Sequence, residues 1–173
     1  MTAHTSPYGA SIDPDNGGVD AITLLVADHD EVKEMFIDYF ELVRGDGTDA
    51  ERADLADQIC QALTVHAAIE EEIFYPAARN ALANPGLIDE AEEEHAQAEA
   101  LIEQLQDMDA SDDLFDNTVQ KLQDVVEHHV QEEEQALFAQ VRESSLDLLA
   151  LGLEMAERKG EVLSQIDEQR TDD

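Results

Sequence analysis

Apolar residues recur at spacings of three and four in four long stretches of the chain, a period typical of amphipathic helices. The first stretch begins after Asp20 and ends where Gly45 and Gly47 interrupt it. Its apolar stripe contains Ile22, Leu25, His29, Val32, Phe36 and Phe40. The sequence therefore predicts a first helix that carries one histidine among its buried positions.

Three further stretches have the same period and also carry a histidine in the apolar stripe. Thr48 and Glu51 form a capping box that predicts the start of the second helix, and Pro76 predicts that this helix kinks or ends. An Asn-Pro-Gly turn precedes the third helix, and we expect Ser111 or Asp112 to cap the fourth. The inward-facing histidines of these helices are His66, His95 and His129.

The connections between these helices are short, which favours an all-α, up-down-up-down four-helix bundle. A serine pair ends the fourth helix, and we expect an amphipathic segment from Leu146 to dock on the bundle as an additional C-terminal helix. Its acidic end is expected to fray after Asp167. The predicted organisation is a flexible N-terminal arm at 1–18, the bundle at 19–143 and the docked C-terminal helix at 144–173.

The net charge excludes some partners. The 173 residues include 43 Asp and Glu against 9 Lys and Arg, which gives a formal charge of −34. This charge argues against nucleic acid or an anionic membrane as a partner, since both are negatively charged. It also favours a salt-rich (halophilic) cytoplasm, where ions screen the self-repulsion, and an acidic protein from an ordinary cytoplasm is the alternative.

Cysteine usage and hydropathy predict the compartment. Cys60 is the only cysteine, so no internal disulfide is expected and the residue is predicted to be small, apolar and buried. No uninterrupted apolar run approaches the roughly 20 residues that a membrane-spanning helix needs, and the N-terminus lacks a signal-peptide pattern. We therefore expect a soluble, cytoplasmic protein.

One motif occurs twice and indicates the chemistry. HAAIEEEIFYP begins at His66 and HVQEEEQALFA begins at His129, and both copies read His-x-x-x-Glu-Glu. Residues four apart on a helix are offset by only about 40° and about 6 Å. His66 and Glu70 therefore project from one face, as do His129 and Glu133. If the two helices face each other, two imidazoles and two carboxylates point into one space and predict a metal site.

The other two histidines strengthen this interpretation. A single histidine on an apolar face is usually a core residue held by a hydrogen bond, but here four successive helices each carry one. The four follow one another at intervals of 37, 29 and 34 residues, so antiparallel packing can bring them to a similar level. A buried glutamate is costly unless it is paired or bound to metal. Because cations are scarce in the chain, a metal is the expected partner of Glu70 and Glu133.

Other polar residues near the motifs have weaker signals. The solvated side of the helices is expected to contain Glu71, Glu72, Glu132 and Glu134. His128 lies off the apolar stripe, so we expect it on the surface or beside the ligands. Glu99, four residues after His95, lies at the edge of the stripe and is a candidate for an extra ligand.

The types of donor atom limit which metal ions the site can bind. Imidazoles and carboxylates without thiolates suit iron, manganese or zinc. Two carboxylates from opposite helices can bridge two ions about 3.5 to 4 Å apart. Four histidines and two bridging glutamates give each ion two nitrogens and two oxygens, and a solvent bridge leaves one position on each ion open. Only one Glu-x-x-His pair is present, Glu92 with His95, which disfavours a ferritin-like site.

These residues resemble the hemerythrin-like domains, also called the HHE cation-binding domain. The similarity covers about residues 20 to 140 and rests on LLVADHDEVKEMF, HAAIEEEIFYP, EEEHAQAEALIEQL and HVQEEEQALF. The resemblance implies a four-helix bundle with a non-heme centre of two iron ions, with manganese or zinc less expected. The ligands it implies are His29, His66, Glu70, His95, His129 and Glu133.

The chain departs from the oxygen-carrying hemerythrins at two places. Those proteins have a fifth histidine where this sequence has Glu99, and they space His and Asp by five on the last helix. Here His129 and Glu133 are four apart. The resemblance is therefore to the bacterial and archaeal hemerythrin-like branch.

Our leading hypothesis is a di-iron protein that binds dioxygen or nitric oxide for sensing, storage or transfer. The alternatives are a di-iron enzyme acting on peroxide or nitric oxide, a protein that donates or repairs iron, and a metal-free acidic bundle used for interaction. Tyr75, one turn past Glu70, and Tyr39 are candidates for a general acid. Whether the protein is an enzyme stays open at this point.

Overall fold

The computed structural model describes residues 18–171, and this part of the chain is entirely helical apart from short connections. Its α-helices are α1 (Ala21–Arg44), α2 (Asp49–Ile69), α3 (Tyr75–Ala81), α4 (Gly86–Gln106), α5 (Phe115–Glu132), α6 (Phe138–Glu143) and α7 (Leu148–Thr171). Two π-helical segments join α2 to α3 and α5 to α6, and we call them the first π-turn (Glu70–Phe74) and the second π-turn (Glu133–Leu137).

The predicted bundle and its additional helix are confirmed. The four layers of the bundle are α1, α2 with α3, α4, and α5 with α6, and α7 packs along α1 and α2. Most of the predicted N-terminal arm lies outside the described residues. Within residues 18–171, no helix combines the length and the apolarity that crossing a membrane requires.

Side-chain caps fix the start of α2 but not that of α5. The Glu51 backbone N–H donates to the Thr48 side chain, and the Thr48 N–H donates back to the Glu51 carboxylate at 2.8 Å, so the predicted capping box is confirmed. The predicted cap of the fourth helix is wrong. That helix begins at Phe115 without a side-chain cap, and Ser111 and Asp112 belong to the turn before it.

The second long helix does not end at Pro76; it widens into the first π-turn just before the proline and then continues. The Tyr75 N–H donates to the Glu70 carbonyl five residues back, and the helix then continues as α3 with Pro76 in its first turn. The second π-turn repeats this arrangement, with the Phe138 N–H donating to the Glu133 carbonyl. Residues five apart diverge by about 140° around an α-helix. The wider π-helical turn instead keeps Glu70 and Tyr75 on the same side of the helix, where the Tyr75 hydroxyl reaches the Glu70 carboxylate.

Buried apolar side chains form two clusters, one on each side of the histidine layer. One cluster contains Phe74 and Phe138 of the π-turn region together with the start of α1 and part of α7. The other contains Phe36 and Ile59, along with the second half of α1 and the first half of α2. Cys60 lies in this second cluster, which confirms its predicted burial, and burial raises the pKa of its thiol to about 12.

The α7 helix runs further than predicted. It continues past Asp167, where fraying was expected, and stays helical to Thr171. Arg170 explains the difference, since its guanidinium donates to Gln61 Oε1 at 3.0 Å and also pairs with Asp57 on α2. The end of α7 is therefore anchored to the bundle by charge.

The α7 helix approaches the start of α1 closely at Gly152. A Cβ atom there would lie 2.1 Å from the Val19 carbonyl oxygen and 2.8 Å from the Ala21 nitrogen. No side-chain movement relieves a clash with backbone, so Gly152→Ala must displace α7. We expect a loss of about 1–3 kcal/mol in the free energy of unfolding, measured by chemical denaturation.

A matched control is available on the same helix. A Cβ atom at Gly160 has nothing within 4 Å. Gly160→Ala should leave stability unchanged or raise it by up to about 1 kcal/mol, because alanine favours a helix over glycine. Equal stability of the two variants would show that α7 does not dock on the bundle at Gly152.

Candidate metal centre

The structure brings all six predicted site residues together in the middle of the bundle. The histidines come from four different helices, and the two glutamates are the first residues of the two π-turns. Glu70 and Glu133 are 0% and 2% exposed. One ligand atom from each of His29, Glu70, His129 and Glu133 lies within a group no wider than 4.8 Å.

The four imidazoles form two pairs that meet through their Nε2 atoms. The Nε2 atoms of His29 and His66 are 3.1 Å apart, and those of His95 and His129 are 3.2 Å apart. Each Nε2 is also near a glutamate oxygen. The pairing of rings across the bundle therefore produces two clusters of nitrogen atoms, one on each side of the carboxylates.

The two glutamates span these clusters. Glu70 directs Oε1 to His66 Nε2 at 2.6 Å and Oε2 to His95 Nε2 at 3.0 Å. Glu133 directs Oε1 to His29 Nε2 at 3.3 Å and Oε2 to His129 Nε2 at 3.3 Å. Each histidine pair therefore meets one oxygen from each glutamate. The result is two sets of donors, each with two nitrogens and two oxygens.

A carboxylate orients each imidazole from the other side. Every Nδ1 lies within hydrogen-bond distance of an acidic side chain from a neighbouring helix. The pairs are His66 with Asp28 at 3.1 Å, His95 with Glu71 at 2.8 Å, His129 with Glu94 at 2.9 Å and His29 with Glu134 at 3.0 Å. Since an ionised carboxylate only accepts, each Nδ1 is the donor, and in a neutral ring Nε2 then carries the lone pair.

Sequence reasoning missed this role. Glu71 and Glu134 were predicted on the solvated side, and their side chains are indeed 50% and 35% exposed, but each also contacts an imidazole. Glu72 and Glu132 are exposed as predicted. A signal was present, because an acidic residue follows the motif glutamate in both copies and another directly precedes the histidine on α1 and on α4.

The remaining candidates lie outside the donor sets. His128 is exposed, and its Nδ1 contacts Glu94 Oε1 at 2.7 Å, so it adjoins the partner of a site histidine. Glu99 is exposed and lines a cavity beside the centre without joining the clustered donors. Tyr39 donates to Asp116 at 2.6 Å within the second apolar cluster and is remote from the centre.

Tyr75 lies at the centre itself. Its hydroxyl oxygen is 2.6 Å from Glu70 Oε2 and 2.7 Å from Glu133 Oε2, and it is 3.2 Å from His95 Nε2. Burial and the two neighbouring carboxylates raise the pKa of Tyr75 well above its ordinary value, so it is a neutral phenol. Its single proton can be donated to only one of these atoms at a time.

Burial and charge act differently on the two glutamates. Burial alone would raise the pKa of both. For Glu70, the charge on His66 and contacts with His29 and His95 outweigh burial and hold the pKa well below its usual value. For Glu133, burial and the negative charge of Glu70 raise the pKa. Both carboxylates can be ionised together at low cost only if positive charge lies between them.

Two buried glutamate oxygens without a hydrogen-bond partner indicate whether a metal fits the site. Glu70 Oε1 and Glu133 Oε1 are fully buried and accept no hydrogen bond from any residue in the range 18–171. His66 Nε2 is only 2.6 Å from Glu70 Oε1, but with its ring proton on Nδ1 it has no N–H to donate to that oxygen. Close donor atoms that do not bond one another are expected where they share a cation, since orphaned buried acceptors are otherwise costly. The residues therefore fit a bound metal.

The helical bundle and the buried His/Glu centre define a metal-binding protein of the hemerythrin-like class. The family model of the hemerythrin HHE cation-binding domain matches residues 20–141. This match covers well over half of the chain, so the protein belongs to the hemerythrin HHE family.

Two relatives were found. A hemerythrin HHE cation-binding domain-containing protein from Mycobacterium kansasii, known from its crystal structure, is 26% identical. The alignment covers 88% of this chain and 93% of that one, with a TM-score of 0.75. A DNA nickase from Nostoc sp. is 38% identical over 85 residues, which is 49% of this chain. The matched part is only 24% of the nickase.

The carboxylates behind the imidazoles should control metal affinity. Glu71→Ala removes the acceptor from His95 Nδ1, so the ring loses both its orientation and its preference for a free Nε2 lone pair. Loss of such a partner typically weakens metal binding by about 10–100-fold. The measurement is the dissociation constant obtained by competition with a chelator.

The adjacent glutamate provides the control. Glu72 pairs with Arg158 at 2.7 Å on the surface and has no contact with an imidazole among the described residues. Glu72→Ala should change metal affinity by no more than about twofold, because an exposed ion pair contributes little. Equal losses in the two variants would contradict the orienting role of Glu71.

Proposed function

We propose that the centre holds two non-heme iron ions and binds dioxygen or nitric oxide for sensing, storage or transfer. The proposed ligands are His29, His66, Glu70, His95, His129 and Glu133. The observation that carries the proposal is the division of these six side chains into two equal sets of two nitrogens and two oxygens.

The donor geometry supports two ions rather than one. Each glutamate directs its two oxygens to different histidine pairs, as a carboxylate bridging two cations does. Nitrogen and oxygen donors without sulfur suit iron, while manganese and zinc have similar ligand preferences and are the less favoured assignments. When bound, the ions supply the electrons and the Lewis acidity that reaction with a diatomic ligand needs.

The protein side chains prepare the site for such a ligand. The four acidic partners hold the imidazoles with their Nε2 lone pairs turned inward. The Tyr75 hydroxyl lies against the two glutamate Oε2 atoms from one side and can donate to either one, and the buried Phe74 and Phe138 belong to the apolar cluster behind it. A cavity touches all four histidines on the other side, so a small ligand can approach from there.

A di-iron enzyme acting on peroxide or nitric oxide is the second candidate, with iron donation or repair as a further alternative. The observation that favours an enzyme is Tyr75, a buried neutral phenol whose hydroxyl lies 3.2 Å from His95 Nε2. A protonated hydroxyl beside the donors can deliver a proton during the cleavage of an oxygen–oxygen bond.

Nucleic acid and anionic membranes are not proposed as partners. The charge of −34 opposes binding to a polyanion. The nickase match covers 24% of that protein, so DNA nicking is not extended to this chain.

Metal analysis of the isolated protein tests the proposal. We expect two iron ions per chain, and we expect His129→Ala to lose metal because one donor set is reduced to a single nitrogen. His128→Ala is the matched control, since it removes the neighbouring exposed imidazole and should retain metal. Removal of the ions should also lower the free energy of unfolding, by about 2.7 kcal/mol if the free metal stood at 100 times its dissociation constant.

Absorption spectra of the iron-loaded protein separate the two candidate functions. A spectral change that reverses when dioxygen or nitric oxide is removed supports ligand binding, whereas consumption of peroxide over many turnovers supports an enzyme. A single zinc ion per chain, or unchanged metal content in His129→Ala, would refute the di-iron assignment.

We also propose that the protein works in a salt-rich cytoplasm. A net charge of −34 on 173 residues destabilises the folded chain by self-repulsion, which salt reduces by shortening the Debye length to about 3 Å at 1 M. The unfolding temperature should therefore rise steeply between low salt and molar KCl, and iso-osmolar sucrose should produce a smaller rise. An unfolding temperature independent of KCl would exclude this adaptation.

A further inference from the structure

A cavity of about 310 Å³ lies beside the metal centre. It touches all four site histidines but neither Glu70 nor Glu133. Away from the histidines its walls are mainly apolar and include Val32, Leu63, Ile102 and Val126. The space therefore extends from the imidazole side of the centre toward the second apolar cluster.

This volume is much larger than a diatomic ligand needs. One water-sized particle requires about 10–15 Å³, so two ions and a solvent bridge would take about 45 Å³ at most. Most of the 310 Å³ then remains. Pockets that bind small organic molecules start at about 300 Å³ and are mostly apolar with a few polar groups at one end. With about 310 Å³ before any ion is bound, the cavity lies at the lower end of this range, and it has this distribution of polar groups.

The opening of the cavity is acidic. The exposed residues in its lining are Thr64, Glu71, Glu72 and Glu99, and all lie on α2, the first π-turn or α4. The cavity therefore opens between these helices, past three carboxylates. A mouth of one charge sign repels ions of the same sign, so anions are disfavoured and neutral molecules are admitted.

We propose that the centre takes a small neutral organic hydroperoxide, with its O–O group at the histidine end and its apolar body in the cavity. This inference rests on the proposed function, because it requires redox-active ions at the centre. The cavity walls suit an apolar body, the acidic mouth disfavours an anionic one, and the imidazole donors that would hold a metal lie at the histidine end.

A hydroperoxide also matches the electron count of a dinuclear centre. The O–O bond of R–O–OH breaks, and two electrons and two protons convert it to R–OH and H₂O. If the six proposed ligands hold two ferrous ions, these would supply the two electrons, one each, and solvent would supply the two protons. A single turnover then needs no further co-reactant, whereas oxidation of a hydrocarbon by dioxygen would need an external reductant.

Ala98 offers a way to narrow the cavity without touching the donors. It lies on α4 one turn after His95, is half-buried and lines the cavity. Ala98→Leu adds bulk into the space for the organic body and leaves all six proposed ligands in place. Ala100→Leu is the matched control, because this residue is exposed on the same helix and is not part of the lining.

The first experiment measures how fast the reduced, iron-loaded protein is oxidised by hydrogen peroxide and by cumene hydroperoxide. In Ala98→Leu the rate with cumene hydroperoxide should fall at least about tenfold, while the rate with hydrogen peroxide changes little. Ala100→Leu should match the natural protein with both oxidants. Equal effects of Ala98→Leu on the two oxidants would overturn the proposal.

The second experiment needs no turnover. Saturation-transfer NMR should detect binding of 2-phenyl-2-propanol, the alcohol product, to the natural protein and to Ala100→Leu, but not to Ala98→Leu. Absence of binding to the natural protein would overturn the proposal even if iron is present. A protein that binds the alcohol but contains no iron would instead refute the di-iron function, so the two failures are distinguishable.

Discussion

Two glutamates buried at the centre of an acidic bundle impose the constraint on which the rest of the structure depends. Glu70 and Glu133 are almost completely inaccessible, and Glu70 Oε1 and Glu133 Oε1 accept no hydrogen bond from any described side chain or backbone group. A buried carboxylate in this condition is unfavourable by several kcal/mol unless positive charge compensates it. The inward imidazoles and the Tyr75 hydroxyl form an environment in which cations can supply that charge. Metal binding and folding are therefore expected to be coupled.

The contacts behind the imidazoles link the four layers of the bundle into a closed ring. Asp28 on α1 accepts from the histidine of α2, and Glu71 in the first π-turn accepts from the histidine of α4. Glu94 on α4 accepts from the histidine of α5, and Glu134 in the second π-turn accepts from the histidine of α1, which closes the ring. Each link fixes how far one helix is shifted along the next. The same four hydrogen bonds thus orient the donors and set the register of the bundle, which explains how helices with few aromatic residues can hold six donors in position.

The sequence predicted the elements that depend on periodicity. The helices, the inward histidines and the pairing of His66 with Glu70 all follow from spacings of three and four, and the structure has them together. The π-turns could not be predicted, because no local preference marks a turn whose benefit is to bring Glu70 and Tyr75 to one side. Glu71 was assigned to solvent because periodicity describes average exposure, while its role depends on the distance to another helix. The volume of the cavity likewise depends on packing between helices and has no signature along the chain.

The charge of the chain and the selectivity of the centre have different physical origins. The acidic surface of this chain attracts all cations and cannot distinguish iron from the sodium, potassium or magnesium that surround it. Discrimination has to come from the imidazole pairs, since nitrogen donors favour transition metals over these hard cations. Glu71 and Glu134 contribute both to the surface charge and to the metal centre, because each is partly exposed and also contacts an imidazole. Acidic residues at these positions therefore contribute to the charge of the surface and, through the ring they hold, to the choice of metal inside.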